Sequence, residues 1–224
     1  MDIYTIGHSN YPLEKLVDML KYYKIDTVVD IRGTPYSKYN VQYNKETLEK
    51  NLNELGFIYI YMAREFAAKR IPKISYNKEG YCDFEKAVQE DSFKSGIERL
   101  KRGCKKGYRI VLLGAMQDPI RCHRSILVGR ELEKHGFNVH HILDDYSLAT
   151  QRDIEENLLD KYHKERTQLT IEHLLGTSPS EEELINDSYK KANEEIGIRV
   201  ENLKNNVLRY MNKPVLYFTF HYDI

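Results

Sequence analysis

Short apolar runs alternate along the chain with longer segments whose apolar residues recur every three or four positions. "DIYTIG" (2–7) predicts a strand closed by Gly7, and "PLEKLVDMLKYYK" after it sets Leu13, Leu16, Val17 and Leu20 on one helical face. "IDTVVDIR" (25–32) is apolar on consecutive residues, the pattern of a strand buried on both faces. "NKETLEKNLNELG" (44–56) reads as a helix with Asn44 as N-cap and Gly56 at its end. "FIYIYM" (57–62) predicts a third strand. The stretch from Ala63 to Tyr81 is basic and weakly patterned, as in a functional loop or irregular insertion.

"DFEKAVQEDSFKSGIERLKRGCKKG" (83–107) carries one or two helices, and "YRIVLLGAM" (108–116) is the strongest buried-strand signal. "QDPIRCHRSILVGRELEKHG" (117–136) predicts a helix entered through Asp118 as N-cap and Pro119 at its first position. "FNVHHIL" (137–143) predicts another strand. This alternation implies an α/β fold, a mostly parallel sheet with helices on both faces in a Rossmann-like three-layer arrangement. From Ser147 the pattern turns polar and helical; Ser180 followed by Glu183 is a capping-box signature, and "KPVLYFTFHYDI" (213–224) reads as a late strand or packed tail. The expected division is an α/β domain over 1–154 and a helical extension over 155–224 with a strand-like tail.

With 224 residues, 41% of them apolar, the chain can build a full core, and its zero net charge argues against a protein-wide basic footprint for nucleic acid. The cysteines Cys82, Cys104 and Cys122 are odd in number and form no C-x-x-C pair, so neither a disulfide framework nor a metal pair is expected. The N-terminus lacks a basic-then-apolar leader and no eighteen apolar residues run together, so the expectation is a reduced, cytoplasmic protein without a membrane partner.

Open parallel sheets bind ligands beyond the carboxyl ends of their strands. One strand runs out into Gly7-His8-Ser9-Asn10, another into Asp30-Ile31-Arg32 with Ser37 beyond, and a third leads through Asp118 to Cys122, His123 and Arg124. His8 and His123 are the candidate general acid or base, Asp30 would orient or activate, and Cys122 is a candidate nucleophile. A helix start flanked by Arg121, His123 and Arg124 would favour its thiolate. Ser9, Arg32, Ser37, Asp118 and Arg124 are assigned to substrate binding, the two arginines and the helix N-termini at Asn10 and Asp118 holding an anion. Plainer readings stand beside these: Ser9 as a helix cap, Asp30–Arg32 as a structural ion pair, Ser37 as an ordinary loop residue, Cys122 as a small buried hydrophobe. His8, Asp30 and His123 could ligate a metal, but no spacing motif supports one, and neither a metal nor any cofactor is assigned.

"YTIGHSN", "VVDIRGTPYSKYN", "YCDF" and "DPIRCHRSIL", in this order and spacing, resemble the domain-of-unknown-function 488 family over roughly residues 1–152. The resemblance implies an α/β fold and marks His8, Ser9, Asp30, Arg32, Pro35, Ser37, Asp118, Cys122, His123 and Arg124 as motif positions; it transfers no established activity. Family members usually carry Cys-Ala-Glu where this chain has Gly114-Ala115-Met116, and Leu-Gly-Gly where it has Phe66-Ala67-Ala68. The functional expectation is an enzyme, a hydrolase or transferase, acting on a phosphate-bearing small molecule or nucleic-acid component. The alternatives are a non-catalytic nucleic-acid-binding module, resting on the basic stretches Lys94–Arg109 and Ala63–Lys73, and a divergent inactive family member. No oligomeric state is implied.

Overall fold

Strands that are apolar on consecutive residues need cover on both faces, and the structure supplies it. The computed structural model describes residues 1–71, 73–167 and 178–199. Six strands, β1 (Asp2–Gly7), β2 (Thr27–Asp30), β3 (Ile58–Tyr61), β4 (Ile110–Gly114), β5 (Asn138–Ile142) and β6 (Leu148–Thr150), form one sheet in the order β3-β2-β4-β1-β5-β6. All pairs are parallel except β5–β6. The helices are α1 (Leu13–Tyr22), α2 (Lys45–Glu54), the single turns α3 (Ala63–Phe66) and α4 (Phe84–Ala87), α5 (Asp91–Lys105), α6 (Arg130–Lys134), α7 (Gln151–Tyr162) and α8 (Glu181–Ile196).

Side-chain alternation along the strands divides the core in two. Tyr4, Ile6, Val28, Val111 and Leu113 meet Leu16 and Leu20 of α1 and Leu48 and Leu52 of α2 on one face. Ile3, Val29, Ile110 and Leu112 belong with Phe93 and Ile97 of α5, Leu132 of α6, Leu158 of α7 and Tyr189 of α8 on the other. Each such side chain contributes roughly 1.5–3 kcal/mol by leaving water. The fold is the three-layer α/β arrangement read from the pattern. Because β4 lies between β1 and β2, the connections after β1 and β4 leave in opposite directions, and a crevice opens between their carboxyl ends.

A polar chain pins the last helices to the sheet. Thr5 Oγ1 donates to His141 Nδ1 (2.7 Å), and His141 Nε2 donates to Gln151 Oε1 (2.9 Å). Gln151 Nε2 in turn donates to the Tyr189 hydroxyl (2.7 Å) and the Ser125 carbonyl (3.2 Å). Burial, followed by the charge of Arg124, pushes His141 down to about 3, so its ring stays neutral in this chain.

Local details differ from the pattern. The helix expected over 117–136 is interrupted. Asp118 does cap Ile120 N (3.1 Å) ahead of Pro119, but the 3-10 turn Pro119–Arg121 ends at an extended Cys122, with φ −131° and ψ 138°. Winding resumes as a π-helical segment over Arg124–Gly129 that runs on into α6. Ser125 Oγ donates to the carbonyls of Pro119 and Cys122, which ties the two turns across the break. Asn44 stands at the N-cap of α2 without capping it; its Oδ1 accepts from Ser37 N (2.7 Å). Ser9 does not cap α1, whose N-cap is Pro12. Strand β6, three residues long, was hidden at the edge of the polar helical pattern. The Ser180–Glu183 capping box is present, and Thr150–Asp153 forms a second one ahead of α7. The expected tail over 213–224 lies outside the described residues. No helix among the described residues is long and apolar enough to cross a membrane.

A Cβ at Gly7 would overlap the backbone carbonyl of Met116 and press on the Arg124 guanidinium (2.9 Å). Backbone cannot yield as a side chain does, so Gly7→Ala is expected to cost about 3 kcal/mol or more in urea unfolding; a loss below about 1 kcal/mol would contradict this packing.

Candidate functional site

The carboxyl ends of β1, β2 and β4 open into a cleft of about 1750 Å³. His8, Ser9, Arg32, Ser37, Asp118, Cys122 and His123 line it; Asp30 and Arg124 do not.

Asp30 and Arg32 form the ion pair that their spacing allows, and both are buried, at 0% and 6% side-chain exposure. Asp30 Oδ1 accepts from the backbone N (3.0 Å) and Nε (2.9 Å) of Arg32. Its Oδ2 accepts from Arg32 NH2 (2.6 Å) and from the Tyr59 hydroxyl (2.6 Å). Arg32 NH1 donates to His8 Nε2 (3.0 Å) and to the Tyr43 carbonyl (2.9 Å). Four of the five guanidinium N–H groups are therefore engaged, and its charge is matched by Asp30.

The partners of His8 assign its tautomer. Nδ1 donates to the Ser9 carbonyl (2.8 Å), and Nε2 is an acceptor because Arg32 can only donate. The ring stacks on Tyr43 with centroids 4.0 Å apart. Burial, then the charge of Arg32, lowers its pKa to about 4. His8 is a neutral brace for Arg32, with no nitrogen left to take a substrate proton.

Arg124 is wholly buried, and its guanidinium donates to the carbonyls of Met116 and Gln117 (2.7 Å to Gln117). It clamps the backbone leaving β4, and its charge is spent inside the protein. The expected anion site of two arginines is thus not what this geometry presents. Lys69 and Arg121 are the other cations on the cleft wall, opposed by carboxylates of Asp118, Asp144, Asp145 and Glu195. Ser37 Oγ accepts from the backbone N of Tyr39 and Asn40 (both 3.1 Å), shaping the turn beside the cleft. Ser9 adopts a left-handed φ of 47° and continues the β1–β4 ladder through its N to the Ala115 carbonyl (2.8 Å).

Cys122 and His123 are the pair left for chemistry. Where the chain breaks before the π-helical segment, Cys122 lies 3% exposed on the cleft floor. Gly114 makes the room, since a Cβ there would stand 3.0 Å from the Cys122 Sγ. His123 Nε2 donates to the Ile31 carbonyl (3.1 Å), which leaves Nδ1 as the acceptor facing Sγ at 3.9 Å. Burial raises the thiol pKa, but the hydrogen bond with His123, the charges of His123 and Arg124 and the Arg124 backbone N–H outweigh it, and the pKa falls to about 6. Burial instead raises Cys82, to about 12, and Cys104. Of the three thiols, only Cys122 is poised as a thiolate near neutral pH.

Residue patterns gave no notice of Tyr43 or Tyr59. The one available signal was alternation in "FIYIYM", which places Tyr59 and Tyr61 on the same side of β3, beside β2. Among the described residues, no three His, Cys, Asp or Glu side chains are grouped to hold a metal ion.

Fold and site together define a three-layer α/β protein with a thiol–imidazole pair at its strand ends. The chain belongs to the family described as domain of unknown function DUF488, whose model matches residues 12–130. His8, Ser9 and everything from Glu131 onward lie outside the matched range. No curated protein and no solved structure matches the chain.

Two predictions follow from the buried network. Asp30→Ala strands the Arg32 charge and is expected to cost about 3–5 kcal/mol in denaturant unfolding. For His8, the folded pKa of about 4 lies below the ordinary 6.5, so the stability gained from its neutral form is complete above pH 6.5 and lost as pH falls toward 4. That limb amounts to about 3 kcal/mol. His8→Gln should reduce the slope between pH 6.5 and 4 in urea titrations, leaving the share of His141, whose pKa is lowered to about 3; an unchanged slope would refute the assignment.

Proposed function

We propose that this chain is a thiol-dependent enzyme, a transferase or hydrolase, with Cys122 as nucleophile and His123 as its acid–base partner. The observation that carries the reading is the Cys122 thiol on the cleft floor, facing at 3.9 Å an imidazole anchored at its far nitrogen by Ile31, and the same His123 together with Arg124 lowers the thiol pKa to about 6. A pKa near 6 leaves about nine-tenths of the thiol ionised at pH 7, against about 1% at the ordinary value of 9.

In the proposed reaction the Cys122 thiolate, its proton already passed to His123 Nδ1, bonds through Sγ to the electrophilic atom of the substrate. The bond to the leaving group breaks, and the leaving group accepts the proton from His123. Water or an acceptor molecule then attacks the same atom with His123 as base, and Sγ departs as the thiolate. Asp30, Arg32 and His8 frame the site without exchanging protons with the substrate. The scheme needs no carboxylate at Met116, because His123 supplies the base.

The phosphate-bearing substrate class, nucleotides included, is proposed on Arg121, Lys69 and the one unspent N–H of Arg32. The basic run on α5 lends less to a nucleic-acid module, since Arg99 pairs with Glu65 and Lys101 with Glu98. A reducing, cytoplasmic setting suits the three free thiols.

Alkylation by iodoacetamide, followed at Cys122 by peptide mass across pH 4.5–9.5, tests the proposal. The rate should be half-maximal near pH 6, and His123→Ala should move that midpoint up by at least about one unit. A wild-type midpoint of 8–9 would sink the reading. Turnover or adduct formation in a nucleotide panel should vanish in Cys122→Ser and weaken about tenfold in Arg121→Ala.

A further inference from the structure

The "YCDF" segment, residues 81–84, contributes no side chain to the strand-end cleft, and its role lies elsewhere. Cys82 N donates to the Ile198 carbonyl (3.0 Å), and Phe84 N donates to Asn193 Oδ1 (2.9 Å). Asn193 Nδ2 donates back to the Cys82 carbonyl (2.8 Å). Tyr81 pairs with Arg199 in an antiparallel bridge, and the Arg199 guanidinium lies over the Tyr81 ring at 5.8 Å. Two side chains, Asn193 and Arg199, and two backbone contacts therefore fasten the end of α8 and the residues after it to this turn.

The consequence is a second wall for the cleft. Ile196 and Ile198, half-buried, line the same cleft as Cys122. Ile120, on the turn that leads into Cys122, and Leu143 join them, also half-buried. The Pro119–Arg121 turn contacts both α7 and α8, which brings Ile120 and Ile196 to neighbouring elements of the cleft wall. The strand-end wall is the opposite in character, with Ser9, Arg32, Asp118 and His123. Ile120, Leu143 and Ile196 pack in part against the core beneath them, and like Ile198 they keep apolar surface toward the cleft.

Building on the thiol-enzyme reading, we propose that Ile120, Ile196 and Ile198 form a specificity wall for an apolar portion of the substrate, an aromatic ring or alkyl chain. The substrate is then amphipathic, its polar reactive end at Cys122 and its apolar body against a wall that lies largely outside the family-matched range.

The test compares two reagents with one chemistry on the full chain: iodoacetamide and N-benzyl-iodoacetamide. In both, Sγ displaces iodide and forms a thioether, so only the apolar tail differs. The ratio of their rates at Cys122, divided by the same ratio for N-acetylcysteine, cancels the thiolate fraction. Wild type should favour the benzyl reagent about tenfold, with saturation, because the ring leaves water. Ile198→Ser, whose docking bond runs through its backbone carbonyl, should bring the preference near one, and Ile196→Ser should lower it independently. Circular dichroism checks that each variant is folded. A wild-type ratio near one, or a preference untouched by both variants, overturns the wall. A Cys122 midpoint of 8–9 would fail the thiol reading alone, because the ratio does not depend on it.

Discussion

Asp30 at the end of β2 and Arg32 two residues beyond it are almost wholly buried, so each must be satisfied largely within the protein. Asp30 meets this by accepting from the Arg32 side chain and from the Arg32 backbone N–H. That N–H belongs to the peptide group whose carbonyl, on Ile31, accepts from His123 Nε2. The ion pair thus holds one peptide plane from its N–H side, and the plane holds the imidazole from its carbonyl side. With Nε2 committed as a donor, Nδ1 is the nitrogen that faces the thiol. Removing Asp30 would loosen the peptide as well as the charge, and the effect would reach Cys122 without touching it.

Arg32 and Arg124, both buried, act on proton equilibria more than on ligands. Arg32 adds to the burial that keeps His8 neutral, and Arg124 adds to the burial that keeps His141 neutral. The same charge on Arg124 favours the Cys122 thiolate. One sign of charge has opposite consequences for a base and an acid: it withholds a proton from the histidines and drives one off the thiol. The guanidiniums are fixed by carbonyls and a carboxylate, so these effects persist with no ligand in the cleft.

The fold was legible because its signals are local. A doubly covered strand shows as a short consecutive apolar run, and the ends of β1, β2 and β4 fall where those runs stop. That sufficed to bring His8, Arg32, Cys122 and His123 to one cleft. It could not say which donors would be free there, because hydrogen-bond satisfaction depends on how the chain folds back on itself: Tyr43 and Tyr59 reach the ion pair from other elements, and Arg124 turns back to the carbonyls of Met116 and Gln117 across the broken helix start. The break at Cys122 was masked by a proper Asp118–Pro119 entry signal, which holds for a single turn. The Ile196–Ile198 wall was illegible for the same reason, since its docking rests on Asn193 and a turn 109 residues earlier.

The Gly114–Met116 segment shows how a departure from the family pattern can be compatible with chemistry. A side chain at position 114 would begin 3.0 Å from Sγ and crowd the thiol, whereas glycine leaves it a close seat beside β4. At position 116 the backbone carbonyl is what the structure uses, as an acceptor for Arg124, while the Met116 side chain faces the cleft at 44% exposure. A carboxylate there would lie on the open wall. In the proposed reaction the proton path from Cys122 runs to the imidazole behind it, on the β2 side, where Ile31 fixes the ring. The proposed acid–base role and the residue at 116 are therefore separable, and a carboxylate at 116 would alter what the cleft presents to a substrate more than how its thiol ionises.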